Sequence, residues 1–169
     1  MKTIAVCGSN DASPEEEALA HELGRALGAL GLAVICGGRR GVMEEAARGV
    51  REAREEGGGK GIVIGILPED HKGSANPYLD VALPTGLGFH RNGIVPLAGD
   101  AVIAVGGGAG TLSEISFAWM YGRPVALLGK TGWAGRLAGV PLDHRRGEPL
   151  PHFTEVEGVV RWLRGILDL

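Results

Sequence analysis

Several protein classes are excluded by what this chain has little of. It holds two cysteines, Cys7 and Cys36, which read as buried thiols of a reduced cytoplasm and not as a disulfide staple. No apolar run approaches the roughly 18 residues of a membrane span, and Met1-Lys2 leads directly into a short strand pattern with no leader-like stretch. We therefore expect a cytoplasmic protein with no membrane partner. Seventeen basic residues stand against 20 acidic ones, for a net charge of -3. Arg39-Arg40 and Arg145-Arg146 are only local pairs, so the basic stripe of a nucleic-acid binder is missing. No His, Cys, Asp and Glu spacing resembles a metal site.

Glycine is abundant instead. Thirty of 169 residues are glycine, without the three-residue period of collagen. They cluster after apolar runs, where turns pack around a ligand or around one another. The length fits a single domain over residues 1–169, large enough to bury its own core.

Strand patterns at 3–7, 32–36, 62–67, 101–105 and 124–128 alternate with helical ones, and 79–83 reads as a short extra strand. Ser13, Pro14 and Glu16 supply an N-cap, a first-turn proline and a capping-box acid for the first helix. Leu19, Leu23, Leu27 and Leu30 line one face of that helix, and Gly31 closes it. A second helix opens near Val42 and buries Met43, Ala46, Ala47, Val50 and Ala53. Glycines 57–59 and 61 read as a flexible joint. Residues 86–99 form a helix that is short or kinked near Pro96. A further helix runs from about Thr111 to Tyr121. Residues 129–151 read as loop with one short hairpin. Thr154 and Glu157 suggest a capping box for a last helix whose apolar face is Val160, Leu163, Ile166 and Leu167. The alternation predicts an open parallel sheet covered by helices on both faces, with ligands held at the carboxyl ends of its strands.

One stretch dominates the functional reading. The apolar strand 101–105 runs into Gly106-Gly107-Gly108-Ala109-Gly110-Thr111 and then into a helix. Four glycines in five positions exceed what one turn requires, and a strand end followed by a helix N-terminus presents backbone N–H groups to an anion. A phosphoryl group is the expected ligand; a turn merely packed on neighbouring backbone is the alternative. The stretch is neither a dinucleotide fingerprint nor a Walker A loop. Gly37-Gly38-Arg39-Arg40-Gly41 is a second candidate, because two cations ahead of a helix N-terminus oppose its dipole unless an anion lies between them. Glu114 has two readings: the acid of a Thr111–Glu114 capping box, or a proton donor and acceptor one turn from the phosphate. Trp119 and Tyr121 read as packing residues, within the chain or against a second copy.

Three of these segments together resemble the LOG-type family, once labelled possible lysine decarboxylases. Cys7-Gly8-Ser9 matches its Cys-Gly-Ser turn. The segment from Cys36 to Glu44 matches G-G-G-x-x-G-[LV]-M-G except at the first and last glycines. Residues from Gly107 to Glu114 match P-G-G-x-G-T-x-x-E, with Gly106 in the proline's place. The likeness implies a three-layer Rossmann-like α/β fold and hydrolysis of the N-glycosidic bond of a nucleoside 5'-monophosphate to free base and ribose 5-phosphate. No cofactor is required for that reaction. Arg91 and Glu114 match the family's essential pair, and Asn92 stands where a lysine is usual. Phosphate and nucleotide contacts then fall to Gly8, Ser9, Gly37, Gly38, Arg39, Arg40, Gly41, Asn92, Gly107, Gly108, Ala109, Gly110 and Thr111. A related branch, also with shortened motifs, resembles molybdenum cofactor carriers, which bind a phosphorylated pterin rather than hydrolysing a nucleotide; that is the alternative function. The likeness also implies a homodimer or higher oligomer formed through the helix bearing Phe117, Trp119 and Met120.

Overall fold

The computed structural model describes residues 1–57 and 59–169; Gly58, part of the expected joint, lies outside the described residues. Seven strands form one parallel sheet: β1 (Thr3–Gly8), β2 (Ala33–Cys36), β3 (Ile62–Leu67), β4 (Val81–Pro84), β5 (Ala101–Val105), β6 (Val125–Leu128) and β7 (His152–Phe153). Their order is β4-β3-β2-β1-β5-β6-β7, and each neighbouring pair is parallel. β1 pairs with both β2 and β5, so strand order reverses there. A crevice opens at such a switch point, between strands whose continuations leave on opposite faces.

The alternation of side chains along β1 separates two cores. Ile4 and Val6 face a layer built by α1 (Pro14–Ala29), α2 (Val42–Glu55) and α6 (Val156–Leu167). Ala5 and Cys7 face α3 (Ile94–Ala98), α4 (Ala109–Met120) and α5 (Gly132–Arg136). The result is the expected three-layer Rossmann-like α/β architecture. Leu23 and Leu27 of α1 are fully buried, each stabilising the fold by about 2 kcal/mol through apolar burial.

The α1 capping box forms as its residues predict: Glu16 N–H donates to Ser13 Oγ, and Ser13 N–H donates to Glu16 Oε2 at 2.9 Å. Residues 88–93 form a 3₁₀ turn leading into α3, and Pro96 lies in the first turn of α3, where no intrahelical N–H is needed. Three expectations are corrected. α6 begins at Val156 after Glu155 and has no side-chain cap bond, so the Thr154–Glu157 box does not form. Val156, Val159, Leu163 and Leu167 take its buried stripe, which rotates Ile166 out to 39% exposure. Residues 129–151 contain α5, and β7 follows; both are too short to show a period in sequence.

Candidate functional site

β1 and β5 end side by side, with Gly8 opposite Val105. Gly8 leads into Ser9 and Asn10, and β5 leads through a glycine turn into α4. Between these ends lies a cavity of about 270 Å³. One wall is Gly8, Ser9 and Asn10; another is the α4 N-terminus, Gly108 to Thr111. Arg39, Met43 and Phe89 surround the mouth, and Arg91, Asn92 and Glu114 complete the lining.

α4 starts at Ala109, two residues earlier than expected. Gly108 is its N-cap, in extended conformation with no side-chain cap bond. The first intrahelical bond is Leu112 N–H to the Gly108 carbonyl. The amides of Ala109, Gly110 and Thr111 therefore have no intrahelical acceptor. They stand at the positive end of a 12-residue helix, a setting that favours anions. The new boundary also removes the capping-box reading of Glu114. From Gly108 the capping position is Thr111, so Glu114 falls in the second turn and faces inward.

Arg91 and Glu114 meet at the cavity floor. Both are almost fully buried, with Arg91 Nη1 3.4 Å from Glu114 Oε1. Arg91 Nη2 also donates to the Gly37 carbonyl at 3.4 Å, while its Nε has no partner. A Cβ on Gly37 would collide with this guanidinium, so that glycine makes room for the arginine. Burial drives the Glu114 pKa up to about 7, with Arg91 and a hydrogen bond from the Cys7 thiol opposing the rise. A carboxyl in that range can give or take a proton near neutral pH. Burial also lifts Cys7 well above the ordinary thiol value, which keeps it a donor. Asn92 Nδ2 donates to Ser113 Oγ at 3.0 Å, tying the 3₁₀ turn to α4.

Not every candidate residue reaches the cavity. Gly107 N–H donates to Glu16 Oε1 at 3.2 Å. The Gly106 and Gly107 carbonyls accept from Ala134 and Trp133 of α5. Half of the glycine run is thus a packed turn, and the amide cradle begins at Gly108. Gly37 and Gly38 are buried behind the lining, with the Gly38 amide near Cys36 Sγ. Gly41 packs against the Ser9 and Asn10 carbonyls. Arg39 borders the cavity and lies 3.7 Å from Glu69. Arg40 borders a separate cavity of about 520 Å³ that shares Asn10 and Arg39. Asn10, Met43, Phe89 and Glu16 escaped the sequence reading. Phe89, 86% exposed, carries no periodic signal, and Glu16 looks like a cap and nothing more.

An open parallel sheet with a switch-point crevice, here closed by the N-terminus of α4, defines a Rossmann-like class of protein. Within that class the chain belongs to the SLOG cluster4 family, whose model matches residues 1–145, and so to the LOG-type proteins. It is 27% identical to the cytokinin riboside 5'-monophosphate phosphoribohydrolase of Mycobacterium tuberculosis over 179 aligned positions, 98% of this chain and 79% of the relative. The molybdenum cofactor binding protein of Rippkaea orientalis superposes with a TM-score of 0.87 at 32% identity, covering 98% and 97% of the two chains. The molybdenum cofactor carrier protein of Chlamydomonas reinhardtii superposes with a TM-score of 0.83 at 30% identity over the full length of both.

Proposed function

We propose that the chain binds a phosphorylated pterin of the molybdenum cofactor type as cargo, with its phosphate on the α4 N-terminus and its ring system toward Phe89 and Met43. The observation that carries this reading is the set of unpaired amides at Ala109 to Thr111, opening on a cavity whose rim bears Arg39. Backbone amides suit a doubly charged phosphoryl group because they offer several donors at fixed positions. Among the described residues, no cluster of three or more His, Cys, Asp or Glu side chains is placed to hold a metal ion. The two cofactor-binding neighbours, both at 30% identity or more over nearly the whole chain, support the choice of pterin. So does Asn92, a neutral residue bonded to Ser113 where a lysine would have supplied a further charge.

A second reading keeps the same cradle and adds chemistry. Glu114, titrating near 7 in the cavity lining beside Arg91, is suited to activating water or stabilising a cation-like sugar during N-glycosidic hydrolysis of a nucleoside 5'-monophosphate. One experiment separates the two. Protein purified without added ligand is analysed by mass spectrometry, then incubated with a panel of nucleoside 5'-monophosphates while ribose 5-phosphate is measured. A retained phosphopterin with no ribose 5-phosphate supports the carrier; release that disappears in Glu114→Gln supports the hydrolase. Neither ligand nor turnover would refute both.

A homodimer belongs to the same proposal. Leu97, Met120 and Tyr121 are exposed beside the half-buried Phe117. Trp119 is withdrawn from that face: it is 5% exposed and lies under the guanidinium groups of Arg145 and Arg146, 4.3 and 4.5 Å from its ring centre. Light scattering on Met120→Asp, expected to be monomeric beside a dimeric wild type, tests the arrangement.

A further inference from the structure

The family motif places a proline where this chain has Gly106, and the structure shows what occupies the freed space. Gly106 has φ +51 and Gly107 φ +92, values that proline cannot adopt and that other side chains adopt only under strain. A Cβ at Gly106 would collide with the carboxyl of Glu16. Glu16 is 7% exposed, and the hydrogen bonds to its carboxyl come from three separate parts of the chain. Oε2 accepts from Ser13 N–H at 2.9 Å. Oε1 accepts from Gly107 N–H at 3.2 Å and from Thr131 Oγ1 at 2.8 Å. The start of α1, the β5–α4 turn and the entry to α5 are joined through one side chain. The capping box explains only the first bond; the bond to Gly107 spans 91 residues and serves no helix end of α1.

We propose that Glu16 is the positioning residue of the phosphate cradle. Resting on the phosphate-binding reading above, the inference is that Glu16 takes the Gly107 amide out of contention and pins the turn from behind. With the Gly106 and Gly107 carbonyls already bonded to α5, this contact on the amide side stops the turn from rotating into the cavity, and the ligand meets the amides of Ala109, Gly110 and Thr111 at a fixed height. Glycine at 106 and an acid at 16 are one device: the small residue exists to admit the carboxyl. Preorganised donors bind an anion more tightly than mobile ones, because no ordering is required at the moment of binding.

The test uses the full chain and inorganic phosphate as probe, read by amide NMR and calorimetry. In the wild type, phosphate should shift the amides of Ala109, Gly110 and Thr111, while the Gly107 amide stays unmoved and exchanges slowly with solvent. Glu16→Ala should weaken phosphate binding about tenfold, at the low end of what removing an outer partner does in metal sites. Glu16→Gln should restore affinity to within about twofold, because its amide oxygen can face Gly107 and Thr131. It should still lower Tm, because its NH₂ then opposes the Ser13 N–H. Ser13→Ala should lower Tm and leave affinity unchanged, which a merely structural role for Glu16 would not separate. If the cradle amides respond in the wild type but Gly107 moves with them, or Glu16→Ala binds as tightly as wild type, the inference is wrong and the phosphate reading stands. If no cradle amide responds, both fall. Should Glu16→Ala not fold, the behaviour of Gly107 in the wild type and the Glu16→Gln affinity decide the matter.

Discussion

Replacing Glu114 with Gln should remove a pH dependence of folding that this one residue imposes. The carboxyl titrates near 4.5 in the open chain and near 7 when folded, because burial penalises its charged form more than Arg91 and Cys7 favour it. The folded protein therefore holds a proton that the unfolded chain has already lost between pH 4.5 and about 7. Stability falls as pH rises through that window. The two values differ enough to be worth on the order of 3 kcal/mol, a large share of a typical domain's stability. The contribution is fully present below pH 4.5 and gone above about pH 8. Glutamine resembles the protonated acid and cannot ionise. Urea unfolding of wild type and Glu114→Gln at pH 5 and pH 8 should give stabilities within about 1 kcal/mol of each other at pH 5. At pH 8 the variant should be the more stable by up to about 3 kcal/mol. Subtracting one protein from the other cancels the titrating groups that do not touch Glu114. A difference that stays flat between the two pH values, or a wild type that gains on the variant as pH rises, would falsify the account of Glu114 as a carboxyl driven upward by burial.

Further outcomes follow from the same geometry. Gly108→Val should still fold, with Tm lowered by no more than about 4 °C for the poorer N-cap, because an added Cβ meets nothing within 4 Å and φ is -100°. Its side chain enters the amide cradle, so calorimetry should find phosphate and phosphopterin binding lost; unchanged affinity would place the ligand elsewhere. Arg91→Ala removes the cation that restrains Glu114, so the Glu114 carboxyl should titrate above 7 by carbon-detected NMR, and stability at pH 8 should drop by about 3 kcal/mol. Ser13→Ala should lower stability by about 1 kcal/mol in urea unfolding, since it deletes the Oγ acceptor for Glu16 N–H.

What could be read before any coordinates was the part governed by local rules. Strand runs of β-branched residues, the Ser13 capping box and the glycine after each apolar run specify elements within a few residues, and their alternation gives an open parallel sheet with helices on both faces, its strand order left open. That the β1 and β5 segments end on the same, carboxyl, edge of the sheet follows from the same alternation; that they are neighbours is seen only in the fold. What escaped depends on contacts between distant residues. Whether Gly107 faces a ligand or the protein interior turns on Glu16 and Thr131, 91 and 115 residues apart in their pairings, and no periodicity records that. Glu114 read equally well as cap or acid from spacing alone; moving the N-cap from Thr111 to Gly108 takes the cap role away. Thr154 and Glu157 show the converse. Their spacing satisfied the capping rule, yet packing of Val156 and Val159 set the helix register instead.

The central claim is that an anionic oxygen is held by main-chain amides where β5 gives way to α4. A crystal structure of the protein grown with a nucleoside 5'-monophosphate or a phosphopterin tests it most directly. The account predicts the phosphoryl group within hydrogen-bonding distance of the Ala109, Gly110 and Thr111 amides, with the Gly107 amide still on Glu16. A phosphoryl group bound away from that helix end, or a ligand-bound structure in which side chains fill the corner, would contradict it.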